Sequence, residues 1–79
     1  MPLYFFHVRT GNRLSEDEDG AEFADLAAVE EEARASVLEI AQYTIEGDID
    51  SVSVEVRDED GEHVLTATAS IAVTRQAGH

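Results

Sequence analysis

The chain has 79 residues, which suits a single domain, and it carries 18 acidic side chains against five basic ones, for a formal charge of −13. Such a surface repels polyanions, so we expect no binding to nucleic acid or to an anionic membrane surface. With no cysteine in the chain, disulfides, thiolate zinc sites and a thiol nucleophile are excluded. No apolar run reaches the roughly 18 residues of a membrane span, and no leader pattern opens the chain, so we expect a cytoplasmic protein.

Residues 3–9 predict the first strand. Aromatic and β-branched residues dominate this stretch, and large apolar side chains fall on both of its alternating faces. A strand of this kind is central in a sheet, or has its outer face covered by another chain. Residues 10–12 have the composition of a turn, and residues 13–15 supply a short second strand that completes a hairpin.

An acidic segment, residues 16–20, follows and is too polar for the core. Gly20 suits a backbone conformation with positive φ, and a preceding aspartate can brace the turn through its side chain. Residues 21–23 then look extended, and we expect Phe23 to lie under the start of the next element.

Residues 25–46 predict the one long helix. Asp25 suits the N-cap, and Arg34 follows Glu30 by four residues, the favourable order for an ion pair. Gly47 suits the left-handed residue that closes a helix. The apolar residues recur at spacings of three and four and form a stripe that can pack on a sheet: Leu26, Val29, Ala33, Val37, Ile40.

The clearest strand pattern lies at residues 51–57, where three valines alternate with polar residues. Residues 58–61 predict a turn, and residues 63–69 predict a returning strand with Leu65, Ala67 and Ala69 facing inward. Residues 71–73 either prolong that strand or form a helical turn, and residues 74–79 form a frayed tail.

These elements predict an α+β domain spanning residues 1–79. Its layout is ββαββ, a mostly antiparallel four-stranded sheet with the long helix packed on one face. The helical stripe is expected to meet the valine face of residues 51–57.

The tetrapeptide Asp-Glu-Asp-Gly occurs twice, at residues 17–20 and 58–61. An EF-hand loop needs glycine sixth and glutamate twelfth, and both copies fail at the twelfth position, so we interpret them as turns. The histidines do not form a ligand set with recognisable spacing. We therefore predict no metal, no cofactor and no catalytic residues, and the sequence favours a non-enzyme.

The first strand is the predicted place for a partner to bind. If Phe6 faces the helix, then Phe5 and His7 face the opposite side, where little of this chain can cover them, and Tyr4 is a candidate neighbour. The alternative places Phe5 in the core, with Tyr4 and Phe6 outward. The small core and this doubly apolar strand favour a homodimer.

Two classes of function remain open. The leading hypothesis is a non-catalytic interaction or regulatory module that meets a basic or apolar protein surface. The alternative is a small-ligand-binding or enzymatic domain with a pocket between helix and sheet, or across a dimer.

Several stretches resemble the short bacterial proteins known as domain of unknown function 6894: Tyr4-Phe5-Phe6-His7-Val8-Arg9, Asp17-Glu18-Asp19-Gly20, Glu22-Phe23, Asp25-Leu26 and Asp58-Glu59-Asp60-Gly61. The resemblance covers nearly the whole chain and supports the predicted fold. It implies no activity, cofactor or catalytic residue. The chain departs from the family where a bulkier apolar strand is expected, at Ala67 and Ala69.

Overall fold

The computed structural model describes residues 1–47 and 49–78. Its elements are β1 (Leu3–Thr10), β2 (Arg13–Ser15), β3 (Ala21–Glu22), α1 (Leu26–Thr44), β4 (Ser51–Asp58) and β5 (His63–Ser70). The strands form one antiparallel sheet in the order β2-β1-β4-β5, and the short β3 also pairs with β1. The predicted α+β class and ββαββ layout are confirmed, with β3 as an addition to the four expected strands.

The helix begins where the sequence predicts. Asp25 is the N-cap, and its carboxylate accepts a hydrogen bond of 2.9 Å from the amide of Ala28. This bond satisfies one of the amides that the first turn leaves without a helical partner.

The predicted end of the helix at Gly47 is wrong. The helix stops at Thr44, and Ile45 is the C-cap in an extended conformation, with φ −77° and ψ 104°. Gly47 does have a positive φ of 58°, but it lies in the turn beyond, which the pairing of Glu46 with Ile49 closes. Ile45 packs against the core, so tertiary burial fixes the end of the helix before the glycine is reached.

The centre of the core is the contact between α1 and β4. Six side chains are buried there: Val29, Ala33, Val37, Val52, Val54 and Val56. The helical stripe therefore meets the alternating valines, as predicted, because both apolar patterns present one face each. Leu26 is the exception in the predicted stripe, because its side chain is 51% exposed. Partly buried residues surround this cluster: Tyr4, Phe6, Val8, Phe23, Ile40, Ala41, Ile45, Leu65, Ala67 and Ala69.

Phe23 closes the core near the start of α1, as predicted. Its ring lies 6.2 Å from that of Tyr4, in an edge-on arrangement, and 5.5 Å from that of Phe6. Aromatic pairs favour such offset geometries over face-to-face stacking.

The helix sits toward one side of the sheet. It packs on β4 and β5 and has less contact with β1. Leu65, Ala67 and Ala69 of β5 face it, which confirms the predicted inward face. The two alanines leave room for the helix beside this strand, and the bulkier Tyr4, Phe6 and Val8 fill the space under the other side.

Residues 71–73 form neither the prolonged strand nor the helical turn expected for them, and residues 74–78 continue without regular structure. All of residues 71–78 are exposed. One further bond, from the amide of Ile71 to the carbonyl oxygen of Asp50, follows the last pair of β5. His79, the end of the predicted frayed tail, lies outside the described residues.

We expect Val54→Asp to unfold the domain, because an unpaired carboxylate would replace a side chain with no exposed surface. Val54→Ala should lower the free energy of unfolding by about 2 kcal/mol, from lost burial and the cavity left behind. Urea denaturation followed by circular dichroism measures both. Val73→Asp, at a side chain that is 83% exposed, is the control, and an equal loss there would contradict the proposed core.

Candidate interaction surface

The helix covers one face of the sheet, and no described helix or strand covers the other. We call this other side the open face. The pairing of β1 with β4 places Phe5 opposite Arg57, and His7 opposite Glu55. The open face includes Phe5, His7, Arg9, Ser53, Glu55, Arg57, His63, Thr66 and Thr68.

The three residues nominated from the sequence lie on different sides of the sheet. Phe5 and His7 are on the open face and are half-buried. Tyr4 points to the helix side and packs against the core and the ring of Phe23. The alternative with Phe5 in the core is wrong, because Phe6 pairs with Val56 and shares its side of the sheet.

The acidic segment at residues 16–20, here called the Asp17 loop, is tied to the middle of β1. β1 pairs with β3 at one end and β2 at the other, which leaves a gap between them. In this gap the amide of Phe6 donates to Oδ2 of Asp17 over 3.1 Å. The carboxylate thus replaces a strand carbonyl as the acceptor for an edge amide.

Asp17 also organises its own loop. Its Oδ1 accepts hydrogen bonds from the amides of Asp19 and Gly20, at 3.1 and 3.2 Å. Partial burial by itself raises the pKa of Asp17, but the amides of Phe6, Gly20 and Asp19 donate hydrogen bonds that stabilise the anion. The net pKa is lowered from its ordinary 3.8.

His7 holds the same loop from the open face. Its Nδ1 accepts a hydrogen bond of 3.0 Å from the amide of Asp17. A ring nitrogen that accepts must carry a lone pair, so in this geometry the imidazole is neutral with its proton on Nε2. His7 therefore has a structural role within the chain.

Phe5 is covered by the same loop. A Cβ added at Gly20 would lie 2.9 Å from Cε1 of Phe5 and 3.2 Å from Cγ of Leu3. Only glycine allows the loop to approach this closely while keeping a φ of +73°. The aromatic nominated as an exposed anchor thus already has an intramolecular contact.

An array of ion pairs crosses the open face. Nε of Arg9 lies 3.1 Å from Oε2 of Glu55, and Nη2 of Arg57 lies 3.9 Å from Oε1. The hydrogen bond from Arg9 lowers the pKa of Glu55 most; desolvation opposes it, and the charges of Arg9, Arg57 and His63 add to the lowering. Exposed pairs of this kind contribute little stability, and here they compensate the arginine charges.

Hydroxyl groups occupy the part of the open face formed by β5. The hydroxyls of Ser53 and Thr68 are 3.0 Å apart, and Nε2 of His63 lies 2.6 Å from Oγ1 of Thr66. The side chains of β5 on this face are therefore uncharged from Thr66 onward and engaged with their neighbours.

The outer edge of β5 pairs with no described strand. Backbone groups of an antiparallel strand point alternately to its two neighbours. The amide of Phe6 points away from β4, so Phe6 and Val56 are a pair without mutual backbone hydrogen bonds. The backbone groups of Val56 therefore point toward β5, where its paired residue is Leu65.

Continuing this alternation along β5 assigns its remaining backbone groups. Ala67 and Ala69 bond with β4, while Thr66, Thr68 and Ser70 direct their amides and carbonyls to the free edge. A register shift beside Val56 disturbs only the beginning of the strand. Residues 66–70 thus form a regular, uncharged free edge.

A groove of about 320 Å³ runs along this edge, between α1 and β5. It is lined by Glu30, Arg34, Val37, Leu38, Leu65, Thr66, Ala67 and Thr68. Leu38 is 55% exposed. The Glu30–Arg34 ion pair expected from the sequence does not form within the described residues. We call the free edge of β5 and this groove the β5 edge site.

Sequence reasoning missed the β5 edge site. The signal available was the run from Val64 to Ser70, which has no charge and no proline in a chain with 29% charged residues. Recognising it as an edge also requires the strand order, which the sequence does not specify.

Both Asp-Glu-Asp-Gly segments are turns, which confirms that interpretation. In the second copy, Oδ1 of Asp58 accepts from the amides of Asp60 and Glu62, at 2.9 and 3.0 Å. In each copy, one carboxylate oxygen of the first aspartate thus accepts hydrogen bonds from amides of its own turn. Within residues 1–47 and 49–78, no three acidic or histidine side chains group as metal ligands.

A model of the family described as Domain of unknown function (DUF6894) matches residues 3–70 of the chain. No curated protein and no solved structure matches it significantly. In the part of the chain that the structure describes, no helix has the length and apolarity needed to cross a membrane.

We expect Asp17→Ala to lower the free energy of unfolding at pH 7 by about 1 kcal/mol or more, because three amides lose their acceptor. Asp17 has a lowered pKa when folded, so its contribution is complete above the ordinary value of 3.8 and lost as the pH falls through the folded value. The difference between wild type and variant should therefore shrink in acid. Denaturation at several pH values measures it.

Asp19→Ala is the matched control for that substitution, because the carboxylate of Asp19 accepts no hydrogen bond from a described residue. An equal loss in Asp19→Ala, or a loss in Asp17→Ala that does not change with pH, would contradict the role given to Asp17.

We expect Gly20→Ala to destabilise the chain more than Gly61→Ala. Both residues have positive φ, but a Cβ at Gly61 meets nothing within 4 Å, whereas at Gly20 it meets Phe5. The backbone strain shared by both is about 1–2 kcal/mol. Adding Phe5→Ala to Gly20→Ala should remove the part of the destabilisation that comes from the contact with Phe5. Thermal melting of wild type, both single variants and the double variant measures this. Effects of the two substitutions that simply add would exclude the contact.

Proposed function

We propose a function for this chain, which belongs to the family described as Domain of unknown function (DUF6894): it is a non-catalytic interaction module. The partner supplies an extended segment that pairs with the free edge of β5. The observation that carries the proposal is an eight-residue strand whose outer edge pairs with no described strand, beside a groove formed with the helix. Strand addition to an exposed sheet edge is a recurring mode of peptide recognition.

The composition of the edge supports this proposal. Natural proteins protect edge strands with charges, prolines, bulges or short length, because unpaired backbone groups otherwise recruit other chains. β1 is protected at its edge by β2, β3 and the carboxylate of Asp17. β5 has a register shift at its beginning and no charged side chain after His63.

The groove defines the chemistry of the segment that fits. Residues of the segment that face the helix side meet Val37 and Leu38, which favours apolar side chains there. A basic residue can reach the carboxylate of Glu30 at the groove wall. The partner thus supplies an apolar extended segment and, within the segment or beside it, a basic residue, in agreement with the charge of the chain.

The shape of the groove favours this function over catalysis. Its polar side chains come from one helix and the hydroxyls of one strand, and neither His7 nor His63 lines it. His7 is on the opposite face and two strands away. An open groove beside a strand edge accommodates a peptide, whereas small-molecule sites enclose most of the ligand surface.

Thr68→Pro tests the proposal, because the amide of Thr68 points to the free edge and its removal leaves the bonds with β4 intact. Thr68→Val keeps the amide and is the matched control. We expect native-host proteins that bind wild type and Thr68→Val to be lost from Thr68→Pro. Amide exchange at Thr66 and Thr68 should slow in the complex.

Circular dichroism and thermal melting of Thr68→Pro are the controls, and we expect both to show a folded chain. Partners that bind Thr68→Pro as well as wild type, or amides at Thr66 and Thr68 that exchange equally fast in the complex, would exclude strand addition at this edge.

A further inference from the structure

We infer that the segment bound at the β5 edge site is β5 of a second copy of this chain. The two copies form one continuous antiparallel sheet, with their helices side by side on the same face. This inference rests on the proposed function and names its partner.

The edge is complementary to itself. Two identical strands that pair in antiparallel fashion are related by a twofold axis, the commonest symmetry of soluble dimers. Thr66 and Thr68 direct their backbone groups outward and flank Ala67. An axis at Ala67 sets Thr66 of each copy opposite Thr68 of the other, and each of these two pairs exchanges two backbone hydrogen bonds.

The residue at the axis has the size that this pairing needs. Ala67 meets itself as a non-hydrogen-bonded pair, in which the Cα atoms approach to about 4.5 Å. Its side chain points to the helix side, where the two helices also approach. A methyl group leaves room there for Leu38, which is largely exposed in the single chain.

The helix supplies charge complementarity. Glu30 and Arg34 lie one helical turn apart and line the groove. The ion pairs among the described residues do not include one between these two side chains. A twofold axis reverses the second helix, so that Arg34 of one copy faces Glu30 of the other. The position of α1 toward β5 brings this row close enough to the edge to take part.

The dimer also adds burial to a small core. Only six side chains among the described residues are buried hydrophobics. Chains of this length bury a modest fraction of their surface, and association is a common supplement.

Sedimentation velocity over a range of concentrations tests the inference. We expect wild type to reach twice the 8.6 kDa chain mass at high micromolar concentration. Thr68→Pro should raise the dissociation constant at least about tenfold, as expected for a lost pair of interface hydrogen bonds, whereas Thr68→Val should leave it nearly unchanged.

A charge exchange identifies the second copy as the partner of the helix row. Glu30→Arg and Arg34→Glu should each weaken the dimer, because like charges then face across the axis. An equimolar mixture of the two variants should form a heterodimer, since one copy presents two acids and the other two bases. A variant that associates weakly only because its own helix is less stable would not regain association when the two variants are mixed.

A wild-type chain that stays monomeric at high micromolar concentration overturns the inference. So does a dimer that is insensitive to Thr68→Pro, because its interface would lie elsewhere. Neither result decides the proposed function. That depends on whether another protein binds wild type and Thr68→Val but not Thr68→Pro.

Discussion

The contact between the valines of β4 and the small stripe of α1 is the interaction on which the rest of the structure depends. It is the only place in the described chain where side chains of two elements are fully buried together. The small side chain of Ala33, at the centre of the stripe, lets the helix lie close to β4. The other strands are positioned by their pairing with β4 or with its neighbour β1. With so small a core, polar interactions must hold the periphery.

The Asp17 loop shows how this is done. A carboxylate satisfies an edge amide of β1 and two amides of its own loop, and the neighbouring imidazole accepts the amide of Asp17 in return. Three of these four bonds reach an ionised group, and charge-assisted hydrogen bonds are stronger than neutral ones. An acidic segment that has the sequence of a solvated turn thus completes the sheet. The same loop gives His7 its hydrogen-bond partner and covers Phe5 within the chain.

Those features that arise from local periodicity could be predicted from the sequence. The valine alternation and the helical stripe fix which sides of β4 and α1 meet, so the fold class, the core and the inward face of β5 follow. The end of the helix could not be predicted, because the burial of Ile45 outweighs the preference of Gly47 for a left-handed turn. The position of Tyr4 was ambiguous because β1 is apolar on both faces. Its pairing with β4 resolves it, at a sequence separation that no local pattern reveals.

The candidate site depends on the same long-range information. The uncharged run in β5 is visible in the sequence, but a central strand commonly lacks charges, whereas an edge strand usually carries them as protection against pairing with other chains. Strand order decides between these cases: β1 takes the second position beside β4, so β5 is left outermost. An acidic chain has many carboxylates that could protect this edge, and most of those that the structure describes lie in the helix, the Asp17 loop and the turn after β4 instead. The free amides of Thr66 and Thr68 are therefore where this surface is open to another strand.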